Sequence, residues 1–363
     1  MQGRREKGDT MNTDVTEMSR NRIGWIDFVK FSGILFVLMN HAELKIPLIS
    51  RFGGLFYVPV FFVLAGLTYQ HREESLILFI KRKAKRLLLP YFGYNIFLYL
   101  FFLLKDYIIP GKFTLQALMP LVGILYSRNS LYRMDTDKNI YFLTVLNSPT
   151  WFLTALFLGI VLFEISIRLV RYNWRRLCLI NILFTAVGII IYYLSPVLLP
   201  WSMESILIFE VMIASGFALQ KKAECIKKKQ NIITDVILFA VIYLLAIFNG
   251  TMNVSVGAFG KLVFVGILLS VASSLWIIWI CYSLRNHIPM GAALIGEHSM
   301  IIMCLHMFVF MFIKTGFNII HPGLLEGDTV AAVLAKSMMV ALTMAILTIG
   351  EISWNLLRRR RRD

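Results

Sequence analysis

The stretch FVKFSGILFVLMNHAEL, residues 28–44, is apolar enough to enter a membrane, yet it has a lysine near its start and a histidine near its end. About 20 residues of helix cross a hydrocarbon core about 30 Å thick. Ionisable side chains are costly at that depth and usually face a partner or a water-filled cavity. The stretch therefore predicts a transmembrane helix that lines a polar site.

Similar apolar runs recur along the chain. Of its 363 residues, 58% are hydrophobic, and the mean hydropathy is +0.71. This predicts an all-α polytopic membrane protein with about ten transmembrane helices. We expect a cytoplasmic tail over 1–22, a membrane domain over 23–352 and a basic cytoplasmic tail over 353–363. The predicted spans are 23–42, 53–70, 87–108, 150–169, 177–195, 202–220, 231–248, 260–282, 293–313 and 328–352.

The distribution of charge predicts the topology. The net charge is +16, and most of the 37 lysines and arginines fall in clusters that alternate with loops poor in them. The positive-inside rule places these clusters, and both termini, in the cytoplasm of what we expect to be a bacterial plasma membrane. The charge therefore needs no nucleic-acid partner. The four cysteines fit neither a disulfide framework nor a zinc site, and no metal is predicted.

Two histidines in different spans are candidates for a shared polar site. His41 follows Asp27 by fourteen residues, which is about 21 Å and almost four helical turns, so both face nearly the same way. Asp27 and Lys30 are one turn apart and either form an ion pair or line a pore. A lone histidine near a helix end is usually a cap. However, His306, which shares a helical face with Ser299, is predicted at a depth similar to that of His41.

Two further polar positions are predicted at the outer surface. Glu204 lies near the start of the sixth span, and Trp151 lies at the edge of the fourth. An interfacial belt of aromatic side chains would explain Trp151 without any function. In the second span, Pro59 and Gly66 predict a kink and close helix packing.

Six segments carry a family resemblance, in order along the chain: RIGWIDFVKFSGILFVLMNH (22–41), VPVFFVLAGLTY (58–69), KRKAKRLLLPY (81–91), TWFLTALF (150–157), PWSMESILIFEVMIASGF (200–217) and IGEHSMIIMCLH (295–306). In these segments the chain is similar to the membrane acyltransferase-3 family, and within it to the fucose 4-O-acetylase-like acetyltransferases. Two positions depart from the family pattern: Ala65 replaces the usual serine, and Lys83 replaces an arginine.

The resemblance implies an integral membrane enzyme that moves an acyl group, commonly acetyl, from cytoplasmic acyl-coenzyme A. The implied acceptor is a hydroxyl of an envelope or exported carbohydrate. The histidine that the family requires maps to His41, for which we expect the role of general base. Asn40 or a neighbouring helix is expected to orient His41. His306 is expected to steer the acceptor or to stabilise the carbonyl oxygen.

The donor's phosphates are expected on the basic run that contains Arg82, Lys83 and Arg86, although charge that merely sets topology is an equal explanation. The alternative function is a transporter or flippase for an envelope glycan or organic anion, and a third is an inactive relative used in assembly. The sequence leaves open the acceptor, the acyl chain, direct transfer against an acyl-histidine intermediate, and the oligomeric state.

Overall fold

The computed structural model describes residues 24–44, 46–132, 140–142, 148–222, 231–250 and 252–360. These residues form helices joined by short turns, with isolated β-bridges but no strand. The all-α prediction is confirmed. The helices are α1 (24–41), α2 (Pro47–Phe56), α3 (Pro59–Leu67), α4 (Leu76–Leu103), α5 (Met119–Tyr126), α6 (Trp151–Leu169), α7 (Trp174–Leu194), α8 (Met203–Lys221), α9 (Ile232–Asn249), α10 (Val263–Ser283), α11 (Met290–Glu297), α12 (Ser299–Ile320) and α13 (Val330–Arg360).

Nine helical segments of the described chain are long and apolar enough to cross a membrane. They correspond to every predicted span except the first, so the polytopic architecture is confirmed. Helix α1 lies outside this set. It has the length of the shortest of the nine, but polar residues occur near both of its ends.

Helix α1 lies inside the bundle rather than at its edge. Val29 and Leu38 are both fully buried, although they point to opposite sides of the helix. By contrast, only 17% of the most apolar part of Trp174–Leu194 is buried, against 72% for Ser50–Leu67. Helix α7 is therefore peripheral, whereas α1 is enclosed by protein except near its end, where Asn40 is exposed.

Glycine allows α3 and α8 to approach closely. A Cβ atom added at Gly66 would lie 1.8 Å from the carbonyl oxygen of Ile213, and one added at Gly216 would lie 1.9 Å from that of Val63. Small residues at such crossings let two backbones touch inside a membrane. The break between α2 and α3 falls immediately before Pro59. Both expectations for the second span are confirmed.

Three predicted boundaries are wrong. Helix α4 begins at Leu76 rather than at residue 87, because Ser75 caps it by accepting a hydrogen bond from the Leu78 amide at 3.3 Å. The basic run is thus the start of a helix and not a loop. The ninth span is divided at His298 into α11 and α12. Helix α13 continues to Arg360, well past the predicted end at residue 352.

Candidate active site

His41 and His306 meet inside the bundle. His41 is the last residue of α1 and is half-buried, whereas His306 in α12 is fully buried. Their ring centroids are 5.2 Å apart, and the ring planes are inclined by 46°. The proximity expected from their positions in the sequence is confirmed.

The hydrogen bonds of His306 define its protonation. Its Nδ1 lies 2.9 Å from the carbonyl oxygen of Ile302 and 3.1 Å from that of Met303. Carbonyl oxygens only accept, so Nδ1 carries the proton, and in the neutral ring Nε2 keeps its lone pair. Nε2 is buried and has no hydrogen-bond partner among the described residues. The histidine pair therefore contains a buried, unpartnered basic nitrogen.

A polar cavity begins one residue beyond His41. Its volume is about 170 Å³. Lys314 lines this cavity together with Ala42, the residue that follows His41. Helices α12 and α13 and the turns that follow α1 and α12 supply the lining, which consists of Ala42, Glu43, Lys314, Asn318, Leu325, Glu326, Lys336 and Met339. The cavity can admit several water molecules or a small polar group at the end of α1.

At the other end of α1, the Lys30 ammonium donates to the Asp27 carboxylate at 2.7 Å. The sequence predicted that Asp27 and Lys30 either form an ion pair or line a pore, and the ion pair is confirmed. A Cβ atom added at Gly296 would lie 1.7 Å from the Asp27 carbonyl oxygen, so α11 packs directly on this turn. Ser299 is half-buried at the start of α12, next to His298, whose Nδ1 lies 2.8 Å from the Glu351 carboxylate.

Helices α3, α4, α6 and α8 converge around a buried carboxylate at the end of the bundle where α4 begins, here called the basic end. Glu164 is 1% exposed. It accepts from the Tyr69 hydroxyl at 2.8 Å and from Arg168 at 2.7 Å. Burial and the hydrogen bond to Glu164 raise the pKa of the Tyr69 phenol. Arg168 also donates to the Glu74 carbonyl oxygen at 2.9 Å, and Arg82 pairs with the Glu74 carboxylate.

The basic residues of α4 differ in their surroundings. Arg82 is held by Glu74 and lies over the Phe79 ring at 5.3 Å. Lys83 is half-buried, lies at the same distance over Phe79, and forms no ion pair within the described part of the chain. Arg86 is exposed and likewise forms no ion pair there. Arg86 and Lys83 are therefore available to a ligand, while Arg82 already has a partner.

A family model described as an acyltransferase domain matches residues 23–349. The chain belongs to the acyltransferase-3 family. The match starts one residue before α1 and ends within α13, so it includes His41, His306 and the basic start of α4. It is to the family as a whole, and membership of the fucose 4-O-acetylase-like branch stays a prediction. No curated protein and no solved structure is detectably similar to this acyltransferase.

At the end of the bundle where α1 ends and α8 begins, here called the far end, the acyltransferase contains a buried ion pair. Arg128 and Glu204 are bonded to each other, with side chains 2% and 3% exposed. Arg128 also donates to the carbonyl oxygens of Ser255 and Leu199. The Glu204 carboxylate accepts from the Leu199 amide at 3.0 Å. Glu204 therefore anchors the segment after α5 to the start of α8.

Trp151 faces the protein and not the lipid. It is 8% exposed, and the Arg128 guanidinium lies 5.9 Å from its ring. The aromatic-belt interpretation is wrong, because a belt residue must reach the membrane interface. Asn40 is exposed, and no described hydrogen bond joins its side chain to His41. Successive residues of a helix point in different directions, which separates Asn40 from the imidazole.

Several residues of this site escaped prediction. Lys314, Lys336 and Glu164 are charges inside apolar spans, and that signal was available in the sequence. Arg128 gave no such signal, because it lies in a polar segment between spans. Its importance depends on Glu204, from which it is separated by 76 residues.

Proposed function

We propose that this acyltransferase is an O-acyltransferase of the bacterial plasma membrane. It takes an acyl group, commonly acetyl, from acyl-coenzyme A at the cytoplasmic basic end and transfers it to a carbohydrate hydroxyl at the far end. The observation that supports this most directly is the contact between His41 and His306 beside a polar cavity, in a chain of this family. Both termini are cytoplasmic in this proposal.

His41 is the general base. A sugar hydroxyl is a poor nucleophile near neutral pH, and a neutral imidazole can remove its proton as the oxygen attacks the thioester carbon. The new carbon–oxygen bond forms while the carbon–sulfur bond breaks. The proton held by His41 then passes to the departing thiolate. An acyl-histidine route is the alternative, with the imidazole nitrogen attacking first.

His306 positions His41. In the protonation state defined by its carbonyl partners, Nε2 of His306 can accept a hydrogen bond but cannot donate one. In this proposal the single N–H group of the neutral His41 ring donates to this nitrogen across the contact between the two rings. The second nitrogen of His41 would then be unprotonated and free for the acceptor. An accepting nitrogen on His306 favours a role in positioning His41. Stabilisation of the carbonyl oxygen would require a hydrogen-bond donor at that place.

Arg86 is expected to contribute more to donor binding than Lys83. The variant Arg86→Ala should weaken acetyl-coenzyme A binding to the chain in lipid nanodiscs more than Lys83→Ala does. The guanidinium is exposed, unpaired within the described chain, and able to bind a phosphate through two parallel hydrogen bonds. Lys112→Ala, an exposed lysine beyond the opposite end of α4, is the matched control. If both substitutions have equal and negligible effects on acetyl-coenzyme A binding in folded protein, the basic run only sets the membrane topology.

The proposed reaction is tested by incubating the detergent-purified chain with labelled acetyl-coenzyme A and envelope glycans. Glycan-dependent release of free coenzyme A, with label on the glycan and no ion gradient present, is the expected result. Gradient-dependent flux of a glycan in vesicles, without any acyl transfer, would contradict the proposal and support a transporter.

A further inference from the structure

The cavity beside His41 contains a buried positive charge. Lys336 in α13 is 5% exposed. Its ammonium donates to the carbonyl oxygens of Glu43 at 3.1 Å and Gly327 at 2.9 Å. Within the described residues, no carboxylate lies within ion-pair distance of it. An ammonium group has three protons, so one remains for another acceptor.

A second cation faces the same space. Lys314 in α12 is half-buried and lines the cavity with Lys336. No hydrogen bond or ion pair of its ammonium occurs in the part of the chain that the structure describes. Because Ala42, the residue after His41, lines the same cavity, a group bound by Lys314 would lie at the end of α1 that carries His41.

Two carboxylates line the cavity as well, but their exposure differs from that of Lys336. Glu43 and Glu326 are both exposed. An exposed carboxylate keeps its hydration, and water and salt screen its field. A buried ammonium has lost its hydration, and the free-energy cost of burying its charge falls when an anion approaches. The desolvated charge of the cavity is therefore positive, whereas the negative charges are in contact with solvent.

We propose that this cavity is the acceptor subsite and that it binds an anionic group of the acceptor, a carboxylate or a phosphate, between Lys314 and Lys336. This inference rests on the proposed function and names its substrate class: an acidic carbohydrate acylated on a hydroxyl close to its charged group. Hydrogen bonds between ammonium groups and an anion are short and strong, so they can place that hydroxyl against His41.

The size of the cavity agrees with this assignment. Its volume of about 170 Å³ is the share of about five or six liquid water molecules. That space accommodates a carboxylate or phosphate with the adjoining part of one sugar ring. The rest of a longer glycan would lie outside, so recognition would depend on a single charged sugar.

The test is equilibrium binding of radiolabelled glucuronate, glucose 6-phosphate and glucose to the full chain in phosphatidylcholine nanodiscs, without acyl-coenzyme A. We expect at least one anionic sugar to bind about tenfold or more tightly than glucose, because hydrogen bonds to charged groups are the stronger ones. The carboxylate and phosphate probes distinguish the two anion types. Equal binding of all three sugars, or binding of none, would overturn the proposal.

Lys314→Gln is the decisive variant, since this lysine forms no described contact that the fold would lose. It should remove most of the preference for the anionic sugar, while Lys112→Gln leaves the preference intact. Unchanged preference in Lys314→Gln would also overturn the proposal. So would loss of sugar binding in nanodiscs enriched in phosphatidylglycerol, because the cavity would then be a site for lipid headgroups. Because binding is measured without the donor, it is independent of whether acyl transfer is confirmed.

Discussion

The variant His41→Ala is expected to lose acyl transfer by a factor of about 10²–10⁴ while it keeps its fold and its affinity for acyl-coenzyme A. The reason is that a general base acts on the acceptor hydroxyl at the far end and not on the donor's phosphates at the basic end. The loss is larger if His41 also forms a covalent intermediate. The quantity to measure is acyl transfer per folded molecule.

Two other histidines provide the controls for this experiment. His306→Ala should reduce turnover less than His41→Ala, because a positioning group contributes less than the base that it positions. His298→Ala should mainly lower stability, since His298 contacts Glu351 on α13 and lies far from His41 along the bundle. Near-normal turnover in the His41→Ala variant would show that the proposed mechanism is wrong.

The second large effect is expected on stability. Arg128→Met should lower the free energy of unfolding by about 3–5 kcal/mol, because it leaves the buried Glu204 carboxylate without its counter-charge. It also removes the donor from the carbonyl oxygens of Ser255 and Leu199. The double variant Arg128→Met with Glu204→Met should recover part of the loss, because no uncompensated charge remains.

Denaturation of the purified chain in detergent measures this effect. The matched control is Lys105→Met, which removes an exposed ion pair with Asp106 whose side chains are 56% and 44% exposed. Such a pair contributes about 0–1 kcal/mol, so little change is expected. If Arg128→Met is as stable as Lys105→Met, the buried pair does not hold the far end together.

The sequence alone was sufficient for the class of fold and for the similar depth of the two histidines of the site. Membrane spans follow from hydropathy summed over about 20 neighbouring residues, and that sum needs no tertiary information. The similar depth of His41 and His306 could be counted along each helix at about 1.5 Å per residue, and it predicted a shared polar site, whereas the contact between the two rings was shown by the structure. Counting did not reveal that the ninth span divides at His298 or that Ser75 starts α4 early, since both depend on local hydrogen bonds.

The tertiary structure alone determined which polar groups are partners. Lys336 donates to the carbonyl oxygen of Glu43, 293 residues away, and this contact joins α13 to the end of α1 beside the cavity. In the sequence, Arg128 is a charge in a loop and Glu204 is a charge at the end of a span. Only the fold shows that the two form an ion pair. Hydropathy states how much each residue costs in lipid. It does not state which helix will lie beside it, and for a buried charge the neighbouring helix decides whether that cost is compensated by a partner or left for a substrate.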